Sequence, residues 1–369
     1  MNIYKHLIRP ALFQFEAERA HDLAIDLSAL LAGASTVCSA LSAYSTVSDT
    51  RLASQVAGLT FENPIGLAAG YDKSGRGVDG LAALGFGHIE VGSVSIDASE
   101  GNPKPRLFRL PDDEAVIVHY GLQNDGAKVV NDRLATRSTT CPVGVNIVKT
   151  NRGIDSTAES DDTIITEYVD AVKVLQGCAD YLTLNLSCPN TEDGRDFFAE
   201  PDHVRQLMAA LSDLKIRKPV FLKVSPLGGV PTVEGLLGAV DGFAFVSGFI
   251  FNLAPGIHAD LRTSSDIWTS LPGALAGRPV REQADQKIRE LYSRMDLDRY
   301  RIIGVGGVTT AQDAYEKIKL GASLVQLLTA LVYEGPWVVK RINEGLCVLM
   351  ERDGVSSVSE VVGVDAKKG

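Results

Sequence analysis

The chain has 369 residues, of which 45% are hydrophobic and 22% charged, and its formal net charge is −10. This is an ordinary globular composition, long enough for one large α/β barrel or two smaller domains. The acidic balance argues against nucleic acid, whose phosphates need a basic face. Five scattered cysteines (Cys38, Cys141, Cys178, Cys188 and Cys347) form no CxxC pair, which excludes a disulfide framework or a cysteine metal site and reads as reduced thiols in a cytoplasmic setting.

Residues 1–50 stand apart as a helical extension. Ala20, Leu23, Ala24, Leu27, Leu30 and Leu31 recur at the i, i+3, i+4, i+7 spacing of an amphipathic helix, and Val37, Leu41 and Tyr44 share one side of a second stretch. Two readings are open. Periodicity alone favours a cap packed on the main fold, and the alternative is a helix pair that lies on a membrane or lines a tunnel for an apolar ligand. Glu16, Glu18, Arg19, Asp22 and Asp26 interrupt any signal-peptide core, and no apolar run reaches 18 residues.

Residues 51–369 follow a different rhythm. Apolar, strand-like runs at Pro64–Ala69, His88–Val94, Pro142–Val148, Tyr181–Leu186, Pro219–Ser225, Gly248–Asn252, Arg301–Gly306 and Ser323–Thr329 alternate with helix-like segments. Eight βα units predict a closed (β/α)8 TIM barrel. A doubly wound sheet would need a first-turn GxGxxG, which "GVGGVTT" does not supply.

Polar and glycine-rich residues gather at the C-terminal ends of these runs, where barrels carry their chemistry. Gly304, Gly306 and Gly307 after the seventh run, with Thr329 after the eighth, predict a phosphate site, against a plain tight turn. Lys73 and Lys223 end the first and fifth runs. Either alone reads as surface; together they suit an electron-rich cofactor such as a flavin. Asn146, Asn185, Asn190 and Asn252 add carboxamides that match a heterocycle of alternating N–H and C=O groups. Cys188, in "LTLNLSCPNT", lies between two of them. It reads as core filler or as a base for a carbon-bound proton. No histidine motif supports a cysteine hydrolase, and no metal site is expected.

Several long motifs then resemble the flavin-dependent dihydroorotate dehydrogenases: "GLAAGYDKSG", "GNPKPRLFRL", "LNLSCPNT", "LAGRP" and "IIGVGG…GASLVQLLTALVYEGP". "RPALFQFEAERAH", at Arg9–His21, is similar to the N-terminal extension of the quinone-using, membrane-associated class 2 members. The tail "ERDGVSSVSEVVG" belongs to the same family likeness. The resemblance implies an FMN-containing barrel that oxidises (S)-dihydroorotate to orotate in pyrimidine (UMP) biosynthesis. It passes the electrons to a quinone, and is peripheral on the cytoplasmic side of the inner membrane.

Carried over by motif, Ala69, Gly70, Ser93, Asn146, Asn185, Lys223, Ala276, Gly277, Gly306, Gly307, Thr329 and Ala330 would hold FMN. Lys73, Asn185, Asn190 and Asn252 would hold the substrate. Cys188 would take the C5 proton while the C6 hydride goes to flavin N5. His21 and Arg109 would line the quinone tunnel, which raises the tunnel reading of the N-terminal helices above the cap.

Four departures from the family pattern stand out. Cys188 replaces the serine usual in this class, and in "IVHYGLQN" Val118 and Leu122 replace an asparagine and a phenylalanine. "FNLAPG" around Asn252 replaces an "ATNTT"-like stretch, and Leu328 replaces a tyrosine. The flavin half of the pattern is kept and the substrate half is eroded. The alternative is therefore a paralogous FMN-dependent oxidoreductase of the same fold, acting on a less polar cyclic substrate.

Overall fold

The computed structural model describes residues 3–153, 159–187, 197–225, 233–251, 256 and 260–366. Eight strands, β1 (Ile65–Leu67), β2 (His88–Val94), β3 (Val143–Ile147), β4 (Tyr181–Asn185), β5 (Val220–Val224), β6 (Val246–Phe251), β7 (Arg301–Gly304) and β8 (Ala322–Leu327), close into one barrel. Each pairs in parallel with the next, and β8 pairs with β1. Helices follow each strand, from Val78–Ala82 after β1 to Val338–Asp353 after β8. The expected (β/α)8 barrel is the observed one, with strand ends differing from the sequence runs by a few residues.

Strand alternation sorts the side chains. Ile89, Val91, Val145, Leu182, Leu184 and Leu222 point outward into the core shared with the helices. Tyr181, Phe221, Ile250, Ile303 and Leu324 point inward and form a second cluster, closed off by Val56 and Phe61 of the hairpin Ser54–Val56/Leu59–Phe61. His88 sits edge-on to Phe61 at 5.4 Å. Burial drives its imidazole down to about 3, so it is a neutral packing residue at physiological pH. Further along the same inward face the residues turn polar. The register sets Gly92 beside Asn146, Asn146 beside Thr183, and Asn185 beside Lys223.

Two features were not anticipated from sequence. Strands Leu107–Leu110, Ala115–Val118 and Ala274–Gly277 form an antiparallel sheet in which Val118 faces both Leu107 and Ala274. Its third strand comes from a distant part of the chain, a pairing that local periodicity does not report.

The second is the orientation of the helix Ala17–Gly33. The Glu16 carboxylate caps its start, accepting from the backbone N–H groups of Glu18 and Arg19 at 2.9 Å each. The helix then turns by 110° into Ser35–Ser45. Three leucines of the apolar stripe turn away from the barrel: Leu23, Leu27 and Leu30 are 45%, 52% and 71% exposed. Ala17, Glu18, Ile25 and Ser28 are buried instead. Glycines opposite explain this, since a Cβ on Gly80 would lie 2.1 Å from the Ser28 carbonyl oxygen. Small residues let the backbones approach, and the leucines are left outside.

Glu18 completes this interface. It is 2% exposed, accepts from Arg106 Nη2 at 2.8 Å and Nε at 3.2 Å, and pairs with Lys104 at 3.1 Å. Burial alone would raise its carboxyl, but Arg106 and Lys104 outweigh it and hold the group below its ordinary value.

Candidate functional site

One continuous cavity runs from the C-terminal ends of the barrel strands to the N-terminal helices. About 250 Å³ of it is open to the centre of a water molecule, many times the roughly 10–15 Å³ that one buried water needs. Its barrel end is lined by Ala69, Gly70, Ser93, Asn185, Lys223, Gly306, Gly307, Thr329 and Ala330, with Ala276 and Gly277 from the antiparallel sheet. Its outer end is lined by Tyr4, Leu12, Phe13, Ala17, Ala20, His21, Ala24 and Arg109. The residues assigned to cofactor and to tunnel therefore share one space. Cys188, Asn190 and Asn252 lie outside the described residues.

Asn146 is fully buried beside the cavity-lining Ser93. Its Oδ1 accepts from the Ser93 hydroxyl at 2.5 Å, and Ser93 Oγ in turn accepts from Asn185 Nδ2 at 3.0 Å. Asn146, Ser93 and Asn185 thus form one hydrogen-bonded chain at the strand ends. Asn146 Nδ2 donates to Glu90 at 2.8 Å. Glu90 also accepts from Gln326 Nε2 at 3.0 Å and Thr183 Oγ1 at 3.2 Å, and faces Lys223 Nζ at 3.9 Å. Sequence reasoning missed Glu90 and Gln326. The usable signal was the alternation His88, Glu90, Gly92 inside an apolar strand, which puts a carboxylate on the inner face.

At the opposite wall, Gly306 and Gly307 have φ of +103° and +71°, the left-handed region that favours glycine. A Cβ on Gly307 would lie 2.3 Å from Arg281 Cβ. Arg281 is engaged from behind by Asp313 and Glu316, and lies 3.5 Å from Asp285. Asp313 Oδ2 also accepts from the Thr309 and Thr310 backbone N–H groups at 3.0 and 2.9 Å. The glycine turn is thus braced against an ion-pair cluster. The helix Thr329–Glu334 begins on the same wall, and the two segments place backbone N–H groups where an anion can be held.

Between the two ends lies Lys73. Its Nζ is 3.3 Å from His21 Nε2 and 3.7 Å from the centre of the Tyr120 ring. Burial lowers its ammonium to about 8, with Asp22 and Glu18 pulling the other way. Burial and the Lys73 charge also push His21 well below its ordinary value, so the imidazole is neutral and Nε2 accepts from the ammonium. Arg109 donates to the Leu12 and Phe15 carbonyls and stacks 4.5 Å over the Phe13 ring.

A lysine titrating near 8 is unusually nucleophilic. In flavin-free protein, trinitrobenzenesulfonate is expected to label Lys73 with half-maximal rate near pH 8, read by peptide mass spectrometry. Its folded value lies below the unfolded one, so stability rises as pH increases from about 8 to 10.5. Lys73→Met is expected to remove that rise, and labelling that tracks ordinary surface lysines would contradict the assignment.

Residues 51–350 match the family model described as dihydroorotate dehydrogenase. The chain is similar to the dihydroorotate dehydrogenase (quinone) of Natronomonas pharaonis, at 39% identity covering 99% of this chain and 100% of the relative. It is similar to the mitochondrial dihydroorotate dehydrogenase (quinone) of Mus musculus, at 37% identity covering 100% of this chain and 91% of the relative. The solved structure of Eimeria tenella DHODH in complex with ferulenol matches with a TM-score of 0.80 at 30% identity, covering 95% of this chain and 96% of that one. A barrel with this arrangement at its strand ends, matched over nearly its whole length, belongs to the dihydroorotate dehydrogenase family.

Proposed function

We propose that the protein is a quinone-dependent dihydroorotate dehydrogenase that oxidises (S)-dihydroorotate to orotate with bound FMN, in pyrimidine (UMP) biosynthesis. The observation that carries this reading is the continuous cavity that joins the polar strand ends of the barrel to the N-terminal helices. Relatives that match end to end carry the name dihydroorotate dehydrogenase (quinone).

The residues present fit FMN. The glycine turn at Gly306 and Gly307 and the start of the helix at Thr329 and Ala330 offer N–H groups to a phosphate. Lys223, which lines the cavity at the other end, would face the edge of the flavin ring. FMN, when bound, would supply the hydride acceptor for substrate oxidation.

The protein's own groups do the rest. Gly70, Ser93, Asn185 and Lys223 hold the ring edge; Lys73, Asn185, Asn190 and Asn252 hold the substrate. The Cys188 thiolate takes the C5 proton as the C6 hydride departs, which balances the oxidation. His21 and Arg109 orient the quinone at the helix end. Residues 1–50 form the acceptor-side extension and 51–369 the FMN-binding barrel. No single helix among the described residues is long and apolar enough to cross a membrane. The exposed Leu7, Leu27 and Leu30 support peripheral contact with the cytoplasmic side of the inner membrane.

A second reading, oxidation of a less polar ring, rests on Val118, Leu122 and Phe251, all on the cavity wall. Anaerobic mixing with dihydroorotate separates the two. Rapid loss of the oxidised-flavin absorbance, restored by a soluble quinone, is expected. A flavin that stays oxidised at millimolar dihydroorotate yet bleaches with an apolar cyclic amide would favour the second reading.

A further inference from the structure

The helix Ala17–Gly33 belongs to the acceptor end of the cavity, but two of its residues reach the lysine at the cavity's middle. Glu18 and His21 lie about one turn apart and so share a face. His21 acts directly, with Nε2 3.3 Å from Lys73 Nζ. Glu18 acts through two intermediates. It holds Arg106 at 2.8 Å, the Arg106 guanidinium lies 5.3 Å from the centre of the Tyr120 ring, and Lys73 Nζ lies 3.7 Å from that same centre.

The surroundings of His21 set its tautomer. The ring hydrogen-bonds the Tyr71 backbone carbonyl and sits edge-on to the Tyr71 ring at 4.9 Å. One nitrogen therefore carries the proton, and Nε2, beside Lys73, carries the lone pair. His21 thus grips one loop twice, at the Tyr71 backbone and at the Lys73 side chain. An ammonium has three N–H donors. One goes to His21 and one rests against the Tyr120 ring. Lys73 is half-buried and lines the cavity, so a donor remains for a ligand there. A lysine stem left free must be ordered by its ligand, at a cost in affinity; here the protein orders it beforehand.

We infer that His21 is a positioning residue for the substrate: it holds the Lys73 ammonium in place, so that the N-terminal extension completes the dihydroorotate end of the cavity as well as lining the acceptor end. The inference rests on the reading above that Lys73 holds the substrate.

The test is calorimetric titration of orotate into oxidised, full-length holoenzyme without quinone, across pH 6–9. Asp22, Glu18 and Asp72 favour the charged Lys73, while burial and Arg106 oppose it and leave it titrating at about 8. Wild-type affinity is therefore expected to fall as pH rises through that value. His21→Phe keeps the ring and removes the acceptor. It is expected to weaken orotate by about tenfold or more at pH 7 and to move the fall to lower pH, because the ammonium loses a hydrogen bond. His21→Gln restores an acceptor of similar reach and is expected to bind within about threefold of wild type. A histidine that serves only the acceptor end would slow reoxidation by a soluble quinone and leave orotate affinity and its pH dependence unchanged in His21→Phe, which overturns the inference. Equal weakening in the Phe and Gln variants would mark a merely structural role and overturns it as well. If His21→Phe does not retain FMN, His21→Leu is judged by the same criteria. A wild type that does not bind orotate overturns the substrate reading instead.

Discussion

Cys188→Ala is expected to keep FMN bound and to slow flavin bleaching by dihydroorotate by about 10²–10⁴-fold, the usual contribution of a positioned proton-transfer group. Cys188 follows the end of β4 by three residues, and that end is firmly held. The Asn185 backbone carbonyl accepts from the Tyr168 hydroxyl at 2.5 Å, and its side chain donates to Ser93 at 3.0 Å. An ordinary thiol with a pKa of roughly 8.5 is mostly protonated at neutral pH. The wild-type rate should therefore climb with pH as the thiolate fraction grows, and the alanine variant should not follow that climb. Anaerobic stopped-flow measurements across pH 6–9 read both effects. A variant that bleaches at the full rate would remove Cys188 from the chemistry while leaving the cofactor assignment standing.

Arg106→Leu is expected to cost about 3–5 kcal/mol of stability, the scale for removing one partner of a buried ion pair. The guanidinium also donates to Gln123 Oε1 at 2.6 Å and to the carbonyls of Glu100 and Asn102 at 2.6 and 2.9 Å. Its loss leaves Glu18 buried with Lys104, whose side chain is 64% exposed, as its remaining ion-pair partner among the described residues. The sign with pH follows from the lowered Glu18 value. The pair contributes stability above the unfolded carboxyl range and loses it as pH falls through the folded value. The variant should show a lower urea midpoint near pH 7 and less additional loss on acidification. The helix that carries His21 is held by this contact, so reoxidation by quinone should slow more than bleaching by dihydroorotate. An unchanged midpoint would show that the clamp adds nothing to stability.

The barrel was legible because its signal is local. Each strand is a short apolar run with a polar exit, and the spacing of eight such runs admits few other folds. The cavity wall at Gly306, Gly307 and Thr329 was legible for the same reason. The floor was not. Glu90 and Gln326 are 236 positions apart, and only closure of the barrel brings them into hydrogen-bond contact. The direction of the N-terminal stripe was not legible from periodicity alone, because Gly77 and Gly80 on the neighbouring segment admit small residues and the leucines turn away.

That inverted helix divides the hydrophobic effect between two events. The barrel realises its share when the chain folds, whereas Leu23, Leu27 and Leu30 remain in contact with water. At 45–71% exposure, each of these leucines holds about 1–2 kcal/mol in reserve, which an apolar phase covering the face would release. Adsorption to such a phase would need no rearrangement of the barrel, and its strength would be adjustable one leucine at a time. The segment behaves as a ballast whose weight is set independently of the chemistry beneath it.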